Sequence, residues 1–341
     1  VTLTVLLRKV GWALFTIVFV VILNFFLFRV MGDPTKILKD PRLSPANIES
    51  LRVRFGLDKP VINCFETLRP FVFKPELCSA NPFDTQFSAY VANLLRGNFG
   101  ISFHSQKPVA ELLGERLWNT LLLIGAGQIL AIIIGALLGI LAAWKARTLL
   151  DYSSLVTGLA AWSLPTFWLG MILLFWGSTR FGLPLGGMAT IGASYDSWWE
   201  RVRDVSRHML LPTLTFTIVY IGEYLIIMRS SLLETLSQDY VLTAKAKGLT
   251  TFQILKDHAF RNAMLPLVTI VALNLGFTVA GAVQIETVFS YPGLGLTVFE
   301  AVERRDYPVL QGAFFLLAIC VILANFLADL LYSVLDPRVK V

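Results

Sequence analysis

Charge is scarce in this chain. Of 341 residues only 15% are Asp, Glu, Lys or Arg, where soluble domains carry about a quarter. With 55% hydrophobic residues gathered in long runs and a mean hydropathy of +0.67, that shortage excludes an ordinary soluble globule. Catalytic signatures are missing as well. No G-x-x-x-x-G-K-[ST] loop can cradle nucleotide phosphates, no G-x-S-x-G turn presents a nucleophile, and no H-E-x-x-H helix offers zinc ligands. Histidine is limited to His104, His208 and His258, in separate loops, so no metal centre is expected. A chain without these sites reads as non-enzymatic, holding no cofactor of its own and drawing energy from elsewhere. The net charge of +6 is dispersed among loops beside apolar runs, which suits contact with anionic lipid rather than nucleic acid. Cysteine is sparse too. Cys320 sits in an apolar run as a small core or lipid-facing residue.

What is present in quantity is span-length hydrophobic sequence. Crossing a hydrocarbon core of ~30 Å takes about 20 helical residues, because each backbone polar group must be satisfied within the segment. Six stretches qualify: about Val10 to Val30, Thr120 to Trp144, Leu155 to Gly177, Leu210 to Met228, Met264 to Ile285 and Val309 to Leu335. The first could be a signal peptide, but Arg29-Val30-Met31-Gly32 is a poor small-residue cleavage site, so it reads as a retained helix. The expected fold is therefore an all-α integral membrane protein with six transmembrane helices. It divides into a first helix (1–31), an extracytoplasmic loop or cap (32–108) and a core of five helices (109–341).

Orientation follows from the short loops. With the N-terminus inside, the inner segments hold eleven Lys and Arg residues (Arg8, Lys9, Lys145, Arg147, Arg229, Lys245, Lys247, Lys256, Arg261, Arg338, Lys340) against five acids. The segment Glu286 to Pro308 has more acids than bases and falls outside. Both termini are thus expected in the cytoplasm. In the long outer loop, Ser44 as N-cap, Pro45 and Glu49 predict a short helix to about Arg54. Cys64 and Cys78 lie further along. Outside the membrane they either close a disulfide, worth about 3 kcal/mol in the loop-entropy picture, or stay as free thiols. Pro108 to Trp118 predicts a short amphipathic helix lying in the interface ahead of the second span.

The segment 229–263 is the long polar interruption on the inner side. Within it, Gln238-Asp239-Tyr240-Val241-Leu242-Thr243-Ala244-Lys245-Ala246-Lys247-Gly248-Leu249 combines small residues with alternating lysines. Ala244, Ala246 and Gly248 would admit another protein at backbone distance, and Gly248 lets the chain turn. Such a loop is either a docking element or a solvated connector. Inside the spans, Glu223 is the expensive residue, at about 2.5–3.5 kcal/mol for an acid at helix centre. It lines a translocation path or pairs with a neighbouring helix or subunit. Gln128, Asn274, Gln284 and Asn325 are explained by hydrogen bonds between helices.

Several of these stretches together resemble a known family. Arg229-Ser230-Ser231-Leu232-Leu233-Glu234, Gln238-Asp239-Tyr240-Val241, Ala244-Lys245-Ala246-Lys247-Gly248-Leu249 and Arg261-Asn262-Ala263-Met264-Leu265-Pro266 resemble the cytoplasmic signature of binding-protein-dependent ABC permeases. They are similar above all to the first permease subunit of dipeptide and oligopeptide importers. Gly32-Asp33-Pro34, Arg96-Gly97-Asn98-Phe99-Gly100 and Phe289 to Gly295, continuing to Arg305-Asp306-Tyr307-Pro308, fit the same subunit. The resemblance implies short coupling helices around Gly248 that dock on cytoplasmic ATPases, with Arg229, Asp239, Tyr240, Thr243, Ala244, Lys245, Ala246, Lys247, Gly248 and Leu249 as coupling residues. It further implies a bacterial inner-membrane location, a second, homologous permease, an extracytoplasmic solute-binding protein, and ATP and Mg held by partner subunits. Thr243-Ala244-Lys245 stands where the general family motif opens Glu-Ala-Ala, and the Cys64 to Asn81 segment is longer than the common pattern. Related permeases carry oligosaccharides, nickel chelates or glutathione, so those solutes stay open beside peptides. A membrane receptor or scaffold would need neither six packed spans nor a buried Glu223, and a docking loop disfavours an ATP-independent channel.

Overall fold

The computed structural model describes residues 3–30, 59–64, 78, 81 and 83–335. The short helix expected over 44–54 lies outside the described residues. Among the described residues ten helices follow in order: α1 (Leu3–Val30), α2 (Gln86–Leu95), α3 (Val109–Trp144), α4 (Leu149–Ser163), α5 (Thr166–Phe181), α6 (Trp198–Leu236), α7 (Asp239–Ala246), α8 (Phe260–Val288), α9 (Leu294–Arg304) and α10 (Tyr307–Leu335). A single turn at Thr251–Gln253 and a π-helical turn at Ile254–Ala259 lead into α8.

Four of these helices are long and apolar enough to cross a membrane: 7–28, 109–144, 198–236 and 307–328. The expected third span is not straight. It is the pair α4 and α5, bent by 99°, because Pro165 lacks an N–H and drives Leu164 out of the helical region, to ψ 133. Counted as one, the pair brings the total to five. The expected sixth is not reached among the described residues, since in the 29-residue α8 only Phe260–Val271 stands as a shorter apolar stretch. A second correction concerns 108–118, which is no separate interfacial helix. Nothing between Val109 and Trp144 breaks the hydrogen-bond ladder, so amphipathic lead and apolar span form one 36-residue helix.

The chain forms two compact units. In the first, built on Trp118–Leu296, α6 packs against α3, α4, α5 and α8. Glycines make the closest crossings. A Cβ on Gly222 of α6 would stand 2.1 Å from the Gly158 carbonyl of α4, and one on Gly135 of α3 would meet the Ile221 carbonyl of α6 at 2.8 Å. Without side chains there, backbones approach and dispersion contacts replace lipid. Around them Ala131, Ala143, Tyr224, Met228, Leu232, Ala263 and Leu267 form a continuous apolar core.

The second unit comprises the described parts of Leu7–Leu117 together with Thr297–Ile322. Phe25 packs on Phe87 and Tyr90, and Phe28 on Tyr307 and Phe314. Asn24 donates to the Gln311 carbonyl at 2.9 Å. The Asp306 carboxylate, 4% exposed, accepts from the Ser102 hydroxyl at 2.5 Å and from the N–H groups of Phe103 and His104 at 3.1 and 3.2 Å. It fastens the turn before α3 to the start of α10. The Cys64 and Cys78 sulfurs are bonded, with their Cα atoms 4.2 Å apart, so the free-thiol alternative does not hold.

Candidate functional site

The polar segment after α6 folds into α7, a two-turn helix from Asp239 to Ala246, ended at Gly248 with φ +80. That φ belongs to the left-handed region, where only glycine is unstrained. Val241 and Ala244 face inward against Ile254, Leu236 and Leu249, which fixes the roll of the helix. Its outer face consequently presents Tyr240, Leu242, Thr243, Lys245, Ala246 and Lys247, with Asp239 and Gly248 exposed at the ends. Ala244 is therefore not part of the approachable surface that its small size suggests. Tyr240 accepts an N–H from Asn262 at 2.9 Å, tying α7 to the start of α8.

Arg229, grouped with these residues by resemblance, is occupied elsewhere. It makes a two-pronged ion pair with Asp151 of α4, Nε to Oδ1 at 2.5 Å and Nη2 to Oδ2 at 2.8 Å. The Arg147 N–H adds a third donor at 2.8 Å. Asp151 is fully buried, and its match to the guanidinium fork locks the beginning of α4 onto α6.

Glu223 lies nearer the middle of α6. Its Oε2 accepts from the Asn274 amide of α8 at 2.9 Å. Asn274 also donates to the Tyr224 hydroxyl at 3.3 Å, and that hydroxyl touches the Gln128 amide of α3. A polar chain thus runs Gln128, Tyr224, Asn274, Glu223 through an otherwise apolar level. Gln128 is 3% exposed and its Oε1 has no partner. Turned over, the Gln128 amide would offer that oxygen to the Tyr224 proton. Gln284 and Asn325 are exposed and make none of the bonds expected of them among the described residues.

At the other end of α8, Glu286 is fully buried. It accepts from the Thr120 hydroxyl at 2.6 Å and the Leu296 N–H at 2.9 Å. Thr120 in turn accepts the Leu294 N–H at 2.7 Å, and Asn119 donates to the Pro292 carbonyl at 2.7 Å. Gly293 must be glycine, because a Cβ there would stand 2.3 Å from the Glu286 carboxyl. Ahead of the apolar part of α6, Asp204 gathers the Tyr195 hydroxyl at 2.6 Å, the Thr190 N–H at 2.7 Å and the Thr190 hydroxyl at 2.8 Å. Among the described residues no cluster of His, Cys, Asp and Glu could hold a metal ion.

The family model described as "Binding-protein-dependent transport system inner membrane component" matches residues 135–341, and that of its N-terminal region matches 2–124. The chain belongs to this family. Like this inner membrane component, several curated relatives are permeases. A putative peptide permease of Brucella suis biovar 1 is 38% identical over 314 residues, covering 91% of this chain and 90% of its own. The dipeptide transport system permease DppB of Escherichia coli K12 is 35% identical over 356 residues, with 98% of each chain covered. The glutathione transport system permease GsiC of the same strain is 34% identical, with 94% of each covered. Among solved structures, the inward-facing MetNI methionine ABC transporter matches with a TM-score of 0.53 at 18% identity, over 66% of this chain and 96% of that one. That likeness concerns fold alone.

For an inner membrane component, the sequence singled out α7 and Glu223 but passed over Glu286, Asp151 and Asp306, which counted only as loop charges. The available signal was the company they keep. Glu286 precedes a Pro-Gly turn, and Asp306 stands between two arginines and Tyr307-Pro308.

Proposed function

We propose that this chain is one of two permease subunits of an ATP-driven peptide importer. It spans the inner membrane six times, with α8 supplying the sixth crossing and both termini in the cytoplasm. An extracytoplasmic binding protein delivers the peptide, and the path runs between this subunit and its homologue. Cytoplasmic ATPases, which hold ATP and Mg, dock on α7 and rock the helix bundle between its outward and inward states. The carrying observation is the end-to-end likeness to peptide permeases, at 35% identity over 98% of the chain in one case.

The geometry suits this role. Nucleotide binding can shift the subunit only through contacts that differ between its two states. α7 presents an exposed face, while Val241 and Ala244 root it in the bundle. Motion at α7 passes to α6 through a two-residue link, and the Asp151–Arg229 pair carries it on to α4. The rest is rigid-body movement around a central path. Glutathione, a tripeptide, is the nearest alternative cargo, favoured by the GsiC likeness.

Reconstitution tests the reading. Proteoliposomes holding both permeases, the ATPases and the binding protein should accumulate peptide only with ATP inside the cytoplasmic face. Accumulation against a gradient after the ATPases are omitted would refute it.

A further inference from the structure

The mid-span carboxylate has an acceptor to spare and no counter-charge. One oxygen of Glu223 is engaged by Asn274. No Lys, Arg or His among the described residues pairs with it, and its Oε1 takes no hydrogen bond there. Helix α8 meets this level of α6 through Asn274, and Glu223 stays only half-buried beside it. Gly222 and the Leu225 side chain face α4, Tyr224 faces α3, and Tyr220 and Ile227 flank Glu223 with their inner sides on the apolar core, all three half-buried, while Ser230 is exposed. Behind Glu223 sits the Gln128–Tyr224–Asn274 chain, whose orphaned Gln128 oxygen is almost wholly buried. Polar groups so costly at this depth are retained where they face a polar path or a charged ligand.

We infer that Glu223 receives the α-ammonium group of the travelling peptide, with Asn274 holding the carboxylate in position. This deepens the peptide-importer reading and rests on it. Peptides of varied sequence share few features, and a free ammonium at one end is the feature a lone carboxylate matches. Tyr220 adds a second element. Its ring is stacked on Phe216 with centroids 4.4 Å apart, one turn from Glu223, which sets an aromatic wall beside the carboxylate and favours a cation. An ammonium there completes the unfilled acceptor and supplies the missing charge, and it leaves the carboxylate again as the bundle changes state.

The test uses the whole reconstituted complex and two forms of one alanine peptide, with a free or an N-acetylated amino terminus, each at saturating concentration. Glu223→Gln keeps the shape and an acceptor for the Asn274 N–H but removes the charge. Uptake of the free peptide should fall about tenfold or more, the scale of one charge-assisted contact. Uptake of the acetylated peptide should stay within twofold of its wild-type value, however low, and Glu223→Asp should restore much of the free-peptide rate. Equal loss for both peptides would overturn the inference, because that is what a structural partner or a cation from the second permease predicts. Unchanged uptake of the free peptide in Glu223→Gln would overturn it as well. A wild-type complex that accumulates neither form, yet hydrolyses ATP, would refute the peptide reading itself.

Discussion

A buried carboxylate needs donors, and Glu286 shows how they are found. Its donors include the Thr120 hydroxyl of α3 and the Leu296 N–H beyond the turn that follows α8, so the side chain pins that turn to α3. Removing it would leave the buried Thr120 hydroxyl and the part-buried Leu296 N–H without this acceptor, at up to about 1–3 kcal/mol for each group. Glu286→Ala should therefore lower the unfolding temperature of the purified subunit markedly, by an amount matching about 2 kcal/mol or more. Gly293→Ala should behave similarly, since its added Cβ falls on the carboxyl itself. Thermal unfolding in detergent, with membrane yield as control, measures both. Wild-type stability in the two variants would show that the network carries no weight. Nothing in the sequence announced this role. Glu286 sits at the edge of an apolar run, where an acid reads as a solvated loop charge, and only its distance to residues 166 positions earlier reveals the difference.

Helices answer more readily to sequence, and their departures have local causes. Pro165 stood inside the expected third span and bends it, whereas the run from Val109 contains no breaker and continues through. Helix α7, the proposed docking element, was legible as a segment but not in its roll. Two small residues, Ala244 and Ala246, looked equivalent, yet only Ala246 faces outward, because Val241 and Ala244 lie on the side that meets Ile254. Gly248 is legible on both counts. A Cβ added there meets nothing within 4 Å, which leaves room for the partner proposed above, while the positive φ costs an L-residue about 1–2 kcal/mol. Gly248→Trp should insert into the membrane at wild-type levels and lose peptide uptake by about tenfold or more, with ATPase activity no longer stimulated by the loaded binding protein. Retained, coupled uptake would remove α7 as the docking element.

At the scale of the whole molecule, orientation is what function needs most, and it is a matter of charge bookkeeping. Glu286 and Asp306 are buried, and Arg229 is paired with Asp151, so part of the charge counted as free in the loops is internal. The segments expected inside nonetheless keep their excess of Lys and Arg, the quantity that governs insertion. Single cysteines placed at Lys145 and at Lys247, in a chain whose Cys320 is replaced by serine, should be alkylated by a membrane-impermeant reagent in inverted vesicles and not in intact cells. Labelling from the outside would reverse the topology. The amino-acid order by itself determined that the chain is a helical membrane protein, where its apolar runs lie and which polar segment interrupts them before α8. These follow from transfer free energy and local backbone chemistry, which act within a few turns of helix. The tertiary structure alone decided which acids are buried and by whom they are held. It also decided which face of α7 is free and that Glu223 meets Asn274, because each depends on residues far apart in the chain arriving within 3 Å of one another.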